Sequence, residues 1–239
     1  MERLDKIIAG TGKYSRREVK ELVRQGRVIV DGRLASSPEE KVDADAACLL
    51  VDGQALDCRR YTYLMLHKPA GVLSARVDGR QQTVLDLLPP ELRRRGLSPV
   101  GRLDKDTEGL LLLTNDGAWA QHLLHPKHEV EKTYHVSVFG PVAGVAARLA
   151  AVTDLEGESI RPARVEVLRE TPGTAVLAVT IHEGKNRQVR RMCAQCGLTV
   201  KRLRRVREGA LELGDLPPGK WRYLTAEELQ SIKGSHQHE

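Results

Sequence analysis

Apolar residues recur along this chain with two different periods, and each change of period marks an element. RLDKIIAG near the start spaces Leu4, Ile7 and Ile8 at helical intervals, and Gly10 and Gly12 then break the pattern. Ser15 and Glu18 form the S-x-x-E of a capping box, in which each side chain satisfies an orphan amide of the first turn. The helix opened there places Val19, Leu22 and Val23 on one face and stops at Gly26. RVIVDG predicts a short β-branched strand ending in an Asp-Gly turn. After the polar break CRRYT (58–62), YLMLHKPAGVLS reads as a strand running into a Pro-Gly loop. A helix with an internal Pro-Pro break is expected between Arg80 and Arg95.

The next stretch, GRLDKDTEGLLLLTNDG (101–117), feeds a short acidic loop into four consecutive leucines, which predict a buried strand closed by an Asn-Asp-Gly turn. AWAQHLLHP then predicts a helix that ends before Pro126, and EKTYHVSVFG and TAVLAVTIHEG alternate as strands. NRQVRRMCAQCG predicts a helix with a glycine stop. VKRLRRVREGALELGDLPPGKWRYLT supplies further strands, and Thr225 caps a last helix, TAEELQSIKG. Strands and helices mix without regular β-α-β alternation, so the fold class expected is α+β rather than a doubly wound parallel sheet. A small unit over 1–58 precedes a larger one over 59–233, and residues 234–239 (GSHQHE) are expected to form a disordered tail.

Charge sharpens this outline. Net charge is +6, but its distribution says more: Lys185 to Arg207 holds nine Lys or Arg residues and no Asp or Glu. Such a run neutralises phosphates and steers toward nucleic acid. Apolar residues interleave with it (Val189, Met192, Leu198, Val200, Leu203, Val206), so it belongs to folded amphipathic elements. Aromatic residues make up only 3%, which limits base stacking as a binding device. The N-terminal helix adds Arg16, Arg17, Lys20, Arg24 and Arg27, mostly off its apolar face. No long apolar segment spans a membrane and no secretory signal opens the chain, so a cytoplasmic protein is expected.

Several chemistries fit poorly. The C-x-x-C of Cys193 and Cys196 has no second pair at zinc-knuckle spacing, and packing cysteines are the better reading. His122, His125 and His128 recur every three residues, but Pro126 interrupts any helix carrying all three, so surface or capping histidines are expected. Glycosidase chemistry needs two opposed carboxylates, whereas Asp104 and Asp106 share one local loop. No G-x-S-x-G, H-E-x-x-H or phosphate-binding glycine loop occurs. One carboxylate in an Arg-Leu-Asp context remains. A single aspartate can serve as nucleophile or base if it stays ionised in a partly dry site, and this calls for a fixed cation nearby. Arg102 is adjacent, and Arg187, Arg190 and Arg191 lie further along the chain.

VGRLDKDTEGLLLLTNDG resembles the catalytic signature of pseudouridine synthases, in the branch that carries an S-four RNA-binding module ahead of its catalytic domain and modifies ribosomal RNA. RLDK with SRREVKELVRQGRVIVDG resembles the S-four module itself. HKPAGVLS (67–74), EKTYHV (131–136), EGKNRQVRRMCAQCG (183–197) and DLPPGKWRYLTAEEL also fit the branch, so the resemblance covers nearly the whole chain. It implies a mixed, largely antiparallel catalytic sheet and a cofactor-free, metal-free isomerisation of a flipped uridine. Asp104 would be the catalytic aspartate, attacking carbon 1′ or deprotonating carbon 2′ of the ribose. Tyr134 would stack on the uracil, Arg190 would pair with Asp104, Val189 would contact the base or the tyrosine, and Arg102 would hold the place the nucleotide vacates. Lys132, Arg187 and Arg191, with Arg16, Arg17, Lys20 and Arg24, would contact RNA.

Ribosomal RNA or a pre-ribosomal particle is the partner expected, met by a monomer. Small-subunit (16S) RNA is favoured slightly on TYLMLHKPAGVLSA and SPVGRLDKDTEG, although Arg187, where that group usually has histidine, leans toward large-subunit (23S) RNA. The alternative from another class is a non-catalytic RNA-binding or ribosome-assembly factor.

Overall fold

The protein is described here as a computed structural model covering residues 1–44 and 46–234. The N-terminal unit packs helix α1 (Leu4–Gly10) and helix α2 (Arg16–Arg24) against a small sheet containing β1 (Val28–Val30) and β2 (Leu49–Val51). Both halves of the capping box form: the Ser15 amide donates to the Glu18 carboxylate (2.6 Å), and the Glu18 amide donates to Ser15 Oγ (3.3 Å). Leu4, Ile7, Ile8, Val19, Leu22, Val28, Val30, Leu49 and Val51 build a core of their own, with Cys58 at its edge.

The buried guanidinium of Arg95 stitches this unit to the rest. It donates to Thr62 Oγ1 (2.6 Å), the Asp57 carbonyl (2.8 Å) and the Arg59 carbonyl (3.2 Å), while Arg94 donates to the Gly12 carbonyl (3.0 Å). Gly12 has φ +78°, and a Cβ there would overlap the Glu91 carbonyl. The polar break at 58–62 is therefore tied down on both sides.

The larger unit is built on a nine-stranded sheet. Its main strands are β3 (Tyr63–Lys68), β4 (Glu108–Thr114), β5 (Lys132–Phe139), β6 (Arg164–Thr171), β7 (Thr174–Ile181), β8 (Thr199–Glu208) and β9 (Trp221–Tyr223), in the order β6-β7-β5-β8-β4-β3-β9. Only β8 and β4 run parallel; the other pairings are antiparallel, giving the α+β class expected. The four leucines lie in β4, all seven residues of which are buried, because the strand is central and covered on both faces. Leu111 and Leu113 enter one core with Val136, Val138, Leu177 and helix α4 (Gln188–Gln195). Leu110 and Leu112 face the other way, onto Trp119 and Leu123 of helix α3 (Gly117–Leu124) and Ile232 of helix α5 (Ala226–Gly234). Thr225 caps α5, its Oγ1 accepting the Glu228 amide at 3.1 Å.

Two expectations change. Arg80–Arg95 is not one broken helix: Asp78 Oδ1 accepts the Arg80 and Gln81 amides in a turn, a single 3-10 turn spans Val84–Leu87, and a short helix spans Pro90–Arg93. The prolines allow a helix start but no continuous helix. Strand β6 was invisible to periodicity because seven of its eight residues are exposed, so no alternation marks it. The tail expected to be disordered falls, from residue 235 on, outside the described residues.

Candidate active site

The acidic loop is held in place from residues 68–74. Ser74 Oγ accepts the Leu103 amide (3.1 Å) and donates to the Leu103 carbonyl (2.8 Å). The Gly71 amide donates to the Lys105 carbonyl at 2.7 Å. Lys68, fully buried, spreads its ammonium over the carbonyls of Pro69 (3.0 Å), Lys105 (3.2 Å) and Thr107 (2.7 Å). Burial pulls the Lys68 pKa down to about 8, against the opposing pull of Asp106 and Asp104. Sequence reasoning gave this lysine no role. The available signal was a cation closing the otherwise apolar strand YLML, where a buried ammonium needs several acceptors.

From this loop the Asp104 side chain enters a cleft of about 530 Å³. Tyr134 and Val189, both buried, line it together with Leu103, Ile181 and Leu203; Lys132, Arg187 and exposed Arg102 also line it. Burial raises the Tyr134 pKa, so its ring is a neutral, flat surface. Beneath it lies Arg205, buried, with Nε donating to the Leu110 carbonyl (2.8 Å) and Nη2 3.2 Å from the Glu208 carboxylate. Gly109 makes that approach possible: it pairs with Arg205 at φ +114°, and a Cβ there would overlap the Arg205 backbone. Lys132 donates to the Val130 carbonyl at 2.8 Å, and burial lowers its pKa.

The cations divide differently from expectation. Arg190 does not pair with Asp104; its Nη2 binds Asp106, 3.2 Å from the carboxylate and 3.1 Å from the carbonyl. Arg187 is the cation near the expected catalytic carboxylate, with Nη1 3.7 Å from Asp104 and 3.4 Å from Asp106. Arg187 occupies the N-cap of α4 in a left-handed conformation (φ 48°, ψ 31°), which turns it out of the helix and over the loop, whereas Arg190 lies one turn inside. Arg191 is engaged away from the cleft: it donates to the Leu155 carbonyl (2.7 Å) and pairs with Glu158 (2.9 Å) and Glu156 (3.2 Å). Arg16, Arg17, Lys20 and Arg24 are all exposed on α2.

The chain from Pro126 to His128 turns back after α3, so the His122 and His128 rings meet at 4.0 Å between centroids, while His125 lines the cleft. Among the described residues no group of three or more His, Cys, Asp or Glu side chains converges as a metal site. None of the described helices is long and apolar enough to cross a membrane.

The cleft thus holds a loop-borne aspartate and a buried tyrosine within a rim of cations. Residues 62–195 match the model of the RNA pseudouridylate synthase family, and residues 2–47 match that of the S-four domain. The chain belongs to the RNA pseudouridylate synthase family and carries an S-four domain at its N-terminus. It is 40% identical to the ribosomal small subunit pseudouridine synthase A of Vibrio cholerae, over 96% of this chain and 99% of that protein. It is 38% identical to the ribosomal large subunit pseudouridine synthase B of Bacillus subtilis, over 100% of this chain and 98% of that protein. A crystal structure of a pseudouridylate synthase superposes with a TM-score of 0.66 at 31% identity, covering 97% of this chain and 100% of that one.

Proposed function

We propose that this pseudouridine synthase isomerises a uridine of ribosomal RNA in the cytoplasm, as a monomer, with Asp104 as the catalytic carboxylate. The observation that carries the reading is the placement of Asp104, on a clamped loop, in the same cleft as the flat buried ring of Tyr134. A stacked uracil cannot present its glycosidic bond to a side chain, so the nucleotide flips into the cleft. Tyr134 and Val189 receive the base. Asp104 then attacks carbon 1′ or takes the proton of carbon 2′, and the bond to N1 breaks. The freed base turns and carbon 5 bonds to carbon 1′ as the ester to Asp104 breaks or, on the other route, as Asp104 returns the proton to carbon 2′; the proton lost from carbon 5 is balanced by one gained at N1. Arg187 sets a positive charge beside Asp104, and Arg190 fixes the far side of the loop through Asp106. Arg102 supports the opened strand, and the exposed cations of α2 hold the RNA outside the cleft. One chain supplies every group named.

Small-subunit RNA is the target carried forward, on the motifs around residues 62–75 and 98–109; the relatives named for the two subunits are nearly equally similar. Mapping pseudouridine in both rRNAs after deletion of the gene tests this. Loss of one 16S site is expected. Loss of a 23S site alone would move the target to the large subunit, and an unchanged map would overturn the ribosomal assignment.

A further inference from the structure

The basic run of residues 185–207 does not act on one surface. Along β8, side chains alternate across the sheet. Arg205 pairs with Tyr134 and lies under the cleft, whereas Arg204 pairs with His135, Arg202 with Ser137 and Arg207 with Thr133, on the opposite face. That face continues through β7 and β6, where Val176 stands opposite Ser137 and Arg169 opposite Val176. Under β4 and β3 the same side of the sheet is covered by α3 and α5. Beyond β8 it lies open: His135, Ser137 and Val176 are half-buried, and Phe139 is 53% exposed.

Its charges are unevenly matched. Arg202 pairs with Glu108, Arg207 with Glu131 at 2.8 Å, and Arg164 lies 3.7 Å from Glu131 and 4.0 Å from Glu166. Among the described residues, Lys201, Arg204 and Arg169 have no carboxylate within 4 Å. Lys201 instead sets its ammonium 5.8 Å from the ring centre of Phe139, the chain's single phenylalanine. Cations outside close ion pairs, on a face that also carries an exposed aromatic ring, suit a polyanion with flat bases: phosphates replace the counterions, and a ring accepts an unstacked base. A protein partner would favour a charge-depleted centre, which this face lacks.

We propose that this open sheet face is a second RNA-binding surface, in which Lys201, Arg204 and Arg169 take backbone phosphates and Phe139 takes an unpaired base. It rests on the assignment of RNA as substrate and extends it: a single RNA would engage the cleft and, with a separate segment, the far side of the same sheet.

The test uses the full chain, in vitro transcripts of 16S and 23S rRNA, and two variants, Lys201→Gln/Arg204→Gln and Phe139→Ala, each shown to be folded by its melting curve. Ultraviolet cross-linking with peptide mapping should place RNA adducts on residues 137–139 and 201–204 of the parent. The double variant should bind its preferred transcript roughly tenfold more weakly, with a shallower salt dependence. Phe139→Ala should lose the cross-link on β5. Parental affinity and an unchanged cross-link pattern in both variants would overturn the proposal. So would variants that keep RNA affinity but lose binding to a ribosomal protein, because the face would then be a protein interface. A parent that neither binds nor modifies either transcript would instead refute the underlying reading of the substrate.

Discussion

The Asp104 loop and the basic face of α2, which we propose act on one RNA, are built in opposite ways. In the loop, backbone groups of residues 103, 105 and 107 are held by Ser74, Gly71 and buried Lys68, and the neighbouring carboxylates meet Arg187 and Arg190. On α2 the cations stand in solvent: Lys20 is 3.9 Å from Glu39, Arg24 pairs with Glu21, and Arg16 and Arg17 have no carboxylate within 4 Å among the described residues. Chemistry depends on position to fractions of an ångström, so its parts are interlocked and each is indispensable. Phosphate attraction is long-ranged and nearly additive, so its parts are loose and each is dispensable. Substitutions in the two regions should therefore fail differently.

The largest effect is expected at Asp104. Asp104→Asn keeps the size and most of the contacts but removes the charge, and should lower the rate of pseudouridine formation by roughly 10²–10⁴-fold or more while RNA affinity stays near parental. Tritium release from 5-tritiated uridine in rRNA, alongside filter binding, separates the two quantities.

Lys68→Met comes next, since it touches no substrate and yet takes a donor from three carbonyls, of which that of Lys105 keeps the Gly71 amide. It should cost on the order of 1–3 kcal/mol in denaturant unfolding and slow catalysis as the loop relaxes. The same pair of proteins carries a pH signature. Because the Lys68 pKa falls from 10.5 to about 8 in the folded chain, the unfolded chain holds more protons between those values. This group therefore makes stability rise with pH through that window, and the parent should gain on Lys68→Met from pH 8 to 10.5. A gap that stayed flat or narrowed would show that Lys68 is not desolvated.

A smaller effect separates the two arginines. Arg187→Ala removes the cation nearest Asp104 and should slow the reaction about tenfold, on the order of 1.4 kcal/mol of barrier. Arg190→Ala should slow the reaction less than Arg187→Ala, since its partner is Asp106. The smallest effects are expected on α2. Arg16→Gln, Arg17→Gln and Lys20→Gln should each weaken binding modestly, reduce the salt slope by about one unit per lost phosphate contact, and leave the rate at saturating RNA unchanged.

Much of this was legible in the sequence where local rules coincide with tertiary ones. The capping box at Ser15 and Glu18 forms because both partners lie within one turn, and the four leucines form a strand because a central strand is buried on both faces. The α+β class followed from the irregular order of elements. What stayed hidden depends on side chains meeting across the fold. Nothing local distinguishes Arg187 from Arg190; the left-handed N-cap of α4 decides which one reaches Asp104. The service of Lys68 to the loop spans up to 39 residues of separation. The basic run from Lys185 to Arg207 reads in sequence as one phosphate-neutralising stretch, but a strand alternates its side chains, and the run divides between the cleft and the far face of the sheet.

The most direct test is a single-turnover measurement at saturating enzyme on rRNA, run in parallel for the parent, Asp104→Asn and the triple variant Arg16→Gln/Arg17→Gln/Lys20→Gln. The account predicts that Asp104→Asn binds and yields almost no pseudouridine, while the triple variant needs more enzyme to saturate and then reacts at the parental rate. Product formation by Asp104→Asn at the parental rate would contradict it.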